Sequence, residues 1–286
     1  MVWALIASLA LAFGTVPAKA PVPKPSPKVR LTPASYQLSP GYQPSPNYDP
    51  EAERQLLELA NQARAQSGLR PLDPDQGLTL AARAHAADMA AQQQLSHQLP
   101  GEPSLSERVA SASSLHLDQV GENVAYAATA NQAQETIMNS PPHRENLMNP
   151  AYNVAGFGVV RSGSVLFVAQ DFGHSLPLYS AQSGQDLVAA SVIQMRHQQA
   201  LPPLQREEST DAQAAACAMA KANSLNTPPL AARYLLRYTS MQLESLPFNV
   251  AKVVADRSLQ SFSVGTCYAQ GASYPSGAYW VTLLFN

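Results

Sequence analysis

The chain has 286 residues, of which 45% are apolar and only 13% charged, and its formal net charge is −2. Such a composition predicts a folded chain long enough for one large domain or two ordinary ones and argues against intrinsic disorder. With no Lys/Arg cluster beyond the N-terminal tail, a surface that tracks nucleic-acid phosphates is excluded.

Met1–Ala20 reads as a secretory leader. Val2–Val16 is almost wholly apolar and small residues come next, placing cleavage after Ala18 or Ala20. The only positive charge ahead of the apolar run is the terminal amine, so an uncleaved membrane anchor stays open as the alternative. Either way the body of the protein is expected outside the cytoplasm, secreted or in the cell envelope. No later apolar run reaches the roughly 18 residues that span a bilayer, so no transmembrane helix is expected in the mature chain. Residues 21–49 are a proline-rich linker, an extended spacer.

Order begins at Asp49-Pro50, an N-cap followed by proline at the first helical position. Leu56, Leu57, Ala60 and Ala63 carry the helix to Gly68. A second helix is predicted from Gln76 to about Gln94, with His85 on an apolar face. Ser104 and Glu107 form a capping box for a short third helix. Thr129–Asn139 reads as a fourth, stopped at Ser140-Pro141-Pro142. Asn153–Val160 and Val165–Gln170 then switch to strand character around Arg161-Ser162-Gly163.

The remainder overlays on this first part. Gln62–Leu72 and Gln194–Leu204 agree at six of eleven positions, an offset of 132. Val154-Ala-Gly156-Phe-Gly meets Val264-Gly265 at an offset of 109, and Leu166–Phe172 meets Tyr279–Phe285. Matches at both ends in the right order predict a duplicated α/β unit with a shortened middle. The overlay sets Cys217 on the position of His85, in a helix, and Cys267 on that of Gly158, in a strand. A helix-to-sheet disulfide is the expectation in an oxidising compartment; two separate buried thiols are the alternative.

Phosphate loops, Gly-x-Ser-x-Gly elbows and His-Glu-x-x-His pairs are absent from the sequence. Instead, six short motifs occur in order: Asn61-Gln-Ala-Arg64, His85-Ala-Ala-Asp88-Met89, Ser96-His97, Gly121-Glu122-Asn123, Ser140-Pro-Pro-His143-Arg144-Glu-Asn146-Leu147 and Gln170-Asp171-Phe172. Together they resemble the bacterial branch of the CAP superfamily (cysteine-rich secretory, antigen 5 and pathogenesis-related 1 proteins), also called the SCP domain. The resemblance implies an α/β fold, an α-β-α sandwich with a central, mainly antiparallel sheet over residues 50–178. A degenerate CAP-like copy is expected over 181–286.

The resemblance also implies a cleft with His97, Glu122 and His143, Ser140 standing where a second acid is usual. His97 and His143 are the implied ligands of a weakly held zinc or similar divalent ion, and Glu122 and His143 the candidate catalytic groups. Asp171, at a strand end, is expected to make a fold-supporting hydrogen bond. The leading functional expectation is a non-enzymatic binding or scaffold module taking a lipid, a peptide or an envelope component. A metal-assisted hydrolase and a wall-associated structural or adhesion protein are the alternatives.

Overall fold

In the computed structural model, residues 46–286 are described; the leader and nearly all of the proline-rich linker lie outside them. Helix α1 (Pro50–Gln66) opens on Asp49, whose carboxylate accepts from the Ala52 amide at 3.0 Å. A two-residue strand β1 (Asp73–Pro74) leads to α2 (Gln76–Gln92), capped by Asp75 and ended by Gln93 in the left-handed region at φ 50°. The capping box at Ser104 and Glu107 forms as expected and starts α3 (Leu105–Ala112). Next come β2 (His116–Ala127), α4 (Ala130–Asn139), α5 (Pro141–Leu147), β3 (Val154–Ser162) and β4 (Val165–Leu176). Ser140-Pro141-Pro142 therefore stops one helix and starts the next, since proline suits the first helical position.

The strand order is β1-β3-β4-β2, antiparallel except for the β1–β3 pair. Leu56, Ile137 and Leu147 of α1, α4 and α5 pack with Phe157, Val168 and Phe172 on one face. Ala82, Met89 and Val109 of α2 and α3 lie against Val124, Phe167, Ala169 and Leu117 on the other. The three layers are the expected α-β-α sandwich. Both strand faces are buried, so β3 and β4 read as apolar runs without alternation.

The second part contains α6 (Ala181–Gln198), β5 (Gln205–Arg206), α7 (Thr210–Ala222), β6 (Tyr234–Ser240), α8 (Phe248–Val254), β7 (Ser261–Gly271) and β8 (Tyr274–Phe285). Its sheet, β5-β7-β8-β6, has the same order and the same pairing directions as the first. Helices α3 and α4 have no counterpart. The β6–α8 connection lies against α6 instead, with Ser191 Oγ donating to the Glu244 carbonyl at 3.0 Å.

One buried arginine recurs in both parts. Arg64 of α1 donates from Nε to the Arg70 carbonyl (2.9 Å), from Nη1 to those of Leu147 (2.8 Å) and Asn149 (3.0 Å), and from Nη2 to that of Tyr152 (3.0 Å). Arg196 of α6 repeats this with Pro202 (2.9 Å), Val254 (2.7 Å) and Asp256 (2.7 Å). Each guanidinium satisfies the carbonyls that a helix end and its loop leave free.

The register differs from the sequence overlay by two residues. A Cβ on Gly158 would lie 2.2 Å from the Ala82 carbonyl carbon, and one on Gly265 would lie 2.3 Å from that of Ala212. Gly265 thus occupies the place of Gly158, not Gly156, because only glycine lets strand and helix approach so closely. The expected bridge is present: Cys217 and Cys267, 50 residues apart, are joined with a Cα–Cα distance of 5.0 Å. It ties α7 to β7.

The described residues make one compact unit. The β7–β8 hairpin packs on α3 and β2, and Gln242 donates to Asp118 across the junction at 3.2 Å.

Two losses of stability are expected in denaturant titrations. Reducing the disulfide frees a fifty-residue loop and is expected to cost about 4 kcal/mol on the loop-entropy argument. Arg64→Met takes the donors from four carbonyls, two of them in buried hydrogen bonds, and is expected to cost about 3 kcal/mol. A midpoint unchanged by Arg64→Met contradicts the clamp.

Candidate functional site

The sequence places the four cleft candidates on three segments, Ser140 and His143 sharing one, and the fold brings His97, Glu122 and His143 together. His97 lies in the loop between α2 and α3, Glu122 on β2 and His143 on α5. Alternation along β2 aims Glu122 toward the α2 layer and Asn123 toward α5. Asn123 Nδ2 donates to the His143 carbonyl (3.0 Å), and Asn146 Nδ2 donates to the Glu122 carbonyl (2.9 Å) and to Asn123 Oδ1 (3.1 Å). These bonds hold α5 against the strand and set His143 beside His97.

His97 Nδ1 lies 2.9 Å from Glu122 Oε1, and the His97 and His143 ring centroids are 6.1 Å apart, tilted by 39°. Ser140 caps α4 and begins α5, and its side chain makes no capping bond.

Beneath the imidazoles lies a buried polar cluster. The Glu122 side chain is only 3% exposed, and its second oxygen, Oε2, is paired with the Arg108 guanidinium of α3. His85 Nε2 stands 3.6 Å from that same oxygen. The ring of His85 has acceptors at both nitrogens, Glu102 Oε1 at 2.6 Å and the Ser96 carbonyl at 2.8 Å. Arg108 also reaches Glu102 at 3.4 Å. A carboxylate out of water requires such compensation.

Asp171, opposite Glu122 in the β2–β4 register, is fully buried and neither carboxylate oxygen has a hydrogen-bond partner. The expected fold-supporting hydrogen bond is therefore absent. Burial first, and the charge of Glu122 second, push its carboxyl well above the usual carboxylate range. That shift favours the uncharged acid beside Glu122, where Asp171 has no cation of its own.

The second part cannot form this arrangement. The register puts Leu235 opposite Leu284, in the places of Glu122 and Asp171. Val254, which accepts from Arg196 as Leu147 does from Arg64, sets the fully buried Val250 in the place of His143.

The two imidazoles are pushed apart. The hydrogen bond to Glu122 raises His97, whereas burial, and then the charge of His97, lower His143. His97 thus favours folding below the ordinary imidazole value, and this contribution fades as pH rises through its raised value. An NMR titration of the ring protons should show His97 titrating above His143, and Glu122→Gln should move His97 back toward the ordinary value. Coincident titrations of the two rings contradict this geometry.

The α-β-α sandwich is the fold expected of a CAP domain, and a comparison with family models agrees. The family model described as CAP, Cysteine-rich secretory protein family, matches residues 57–172; that stretch is a CAP domain.

The uncharacterised protein YkwD of Bacillus subtilis (strain 168) is 35% identical over 114 residues, covering 40% of this chain and 44% of that protein. The chain thus spans less than half the length of this curated relative. An extracellular protein containing an SCP domain from Bacillus anthracis str. Ames superposes with a TM-score of 0.41 at 26% identity, over 44% of this chain and 41% of that one. Na-ASP-1 gives a TM-score of 0.47 at 9% identity, over 87% of this chain and 92% of its own. Among the described residues, no helix is long and apolar enough to cross a membrane.

Proposed function

We propose that this chain is an exported binding module whose CAP cleft, at His97 and His143, takes a lipid, a peptide or another envelope component. The observation that carries this reading is the engagement of Glu122 on both oxygens, by His97 and by Arg108. A general base needs a lone pair within reach of the proton it removes, and a carboxylate only 3% exposed, with a cation on one oxygen and an imidazole on the other, is poorly placed to take one from a water. Asp171 is fully buried beneath it, out of reach of a water, and supplies no second base.

Zinc or a similar divalent ion suits the cleft only as a loosely held guest. Among the described residues, no group of three or more His, Cys, Asp or Glu side chains is placed to hold an ion, whereas closed sites use three or four protein ligands. His97 keeps Nε2 for an ion while Nδ1 is held by Glu122, the usual way a carboxylate orients a ligating histidine. Such an ion would supply a positive anchor for an acidic group of the ligand.

The test is a calorimetric zinc titration of the full chain at pH 7.5, alongside turnover assays on quenched fluorescent peptides. Weak saturable uptake, lost in the His97→Ala, His143→Ala double variant and accompanied by no peptide turnover, is the expected result. Turnover abolished by both His143→Ala and Glu122→Gln overturns the binding reading in favour of a hydrolase.

A further inference from the structure

The junction between the two sheets encloses an ionisable ring. His116, the first residue of β2, is 2% exposed. Tyr268 of β7 and Tyr279 of β8 meet it edge to face, with centroid distances of 5.1 and 5.4 Å. The two tyrosines lie 5.2 Å from one another, and Tyr179 of the connector between the parts stands 6.4 Å from Tyr279. Neither nitrogen of His116 makes a well-formed hydrogen bond. An imidazole in such a place packs well when neutral and is poorly accommodated when charged, because no carboxylate touches it.

We propose that His116 is an acid-sensitive latch between the two sheets, closing the junction as a neutral ring and releasing it when protonated.

The groups around the ring support this assignment. Tyr268 and Tyr279 have phenols that burial raises further from neutrality, so neither supplies a counter-charge. Tyr279 Oη instead accepts from the Tyr179 amide at 2.6 Å, and the Tyr179 hydroxyl donates outward to exposed Glu244 at 3.0 Å. Asp118, two residues along β2, is already occupied: Oδ1 by His174 Nδ1 at 2.6 Å and Oδ2 by Gln242 at 3.2 Å. The Pro177 carbonyl and Asp118 both favour a proton on His116, yet burial outweighs them and lowers its value.

The sign comes from that lowering. At neutral pH both the closed and the opened junction hold His116 uncharged. As pH falls below the ordinary imidazole value, the opened form takes up the proton first, and the closed form loses stability until its own lowered value is reached. The rest of the junction includes the β7–β8 hairpin on α3 and β2 and the Gln242–Asp118 hydrogen bond. Release at His116 should therefore expose the hairpin without unfolding either sheet. The latch works whatever the cleft binds.

Amide hydrogen exchange of the full chain at pH 7.5 and pH 5.5, corrected for intrinsic rates, tests the latch. Peptides covering Leu117–Val120 and Tyr274–Tyr279 should exchange faster at the lower pH, by up to about tenfold, the ceiling set by protonating a free imidazole one unit below its ordinary value. Peptides from α1 and α6 should not change, and His116→Phe should abolish the acceleration. Equal acceleration in wild type and His116→Phe overturns the proposal. Should the phenylalanine variant fail to fold, the ring-proton titration of His116 in the wild type decides. Titration below the ordinary imidazole range, together with hairpin exposure, supports the latch; titration at the ordinary value overturns it.

Discussion

A carboxylate buried in a sheet needs charge and hydrogen bonds around it, and Glu122 imposes that requirement on the first part of this protein. Its side chain is 3% exposed, so one oxygen is matched by Arg108 and the other by His97. Arg108 must then be carried on α3, α3 needs its capping box, and the loop from α2 must bring His97, Glu102 and the Ser96 carbonyl to the same place. His85 on α2 closes the cluster through Glu102 and Ser96. The cleft's imidazoles are therefore the visible surface of a larger charge-compensated unit.

In the second part that requirement is gone, and the elements that served it are gone as well. Leu235 and Leu284 replace the two acids, Val250 stands at the third site position, and no counterpart of α3 or α4 exists. The scaffold persists: the strand order, the arginine clamp and the glycine contact between strand and helix. A disulfide is added where the first part uses packing alone. The losses are correlated because the pieces served one buried charge, whereas the clamp survives because backbone carbonyls at helix ends need donors whatever the site does.

Much of this is legible in the sequence wherever the signal is local. Asp49-Pro50, the Ser104–Glu107 box and the hairpin near Gly163 each act within a few residues; the structure has all three, with the turn itself at Gly163-Ser164 and Arg161 and Ser162 paired in β3. Strand β2 is not legible: along His116–Ala127 only Gln119 and Tyr126 are exposed, so burial does not alternate and its side chains do not alternate between apolar and polar. The overlay's two-residue slip has a related cause, since a shift of two preserves the facing of every strand residue. Arg108 escapes a sequence reading although a signal exists. Leu105, Arg108, Val109 and Ala112 share one face of α3, and an arginine on an apolar stripe implies a buried acid, but its partner lies fourteen residues away on another element. Asp171 departs from expectation because a partnerless buried carboxyl is stable only when neutral, and nothing in its local sequence carries that information.

The central claim is that Glu122 and Arg108 stabilise the fold as a pair and not separately. A double-mutant cycle in denaturant unfolding, using Glu122→Leu, Arg108→Met and the two combined, measures it most directly. Each single change leaves one buried charge without its partner and is expected to cost about 3–5 kcal/mol. The combined change should cost clearly less than the sum, with a coupling of about 2 kcal/mol or more. Additive losses would mean that the two charges do not compensate one another and that the cleft is not organised around a buried carboxylate.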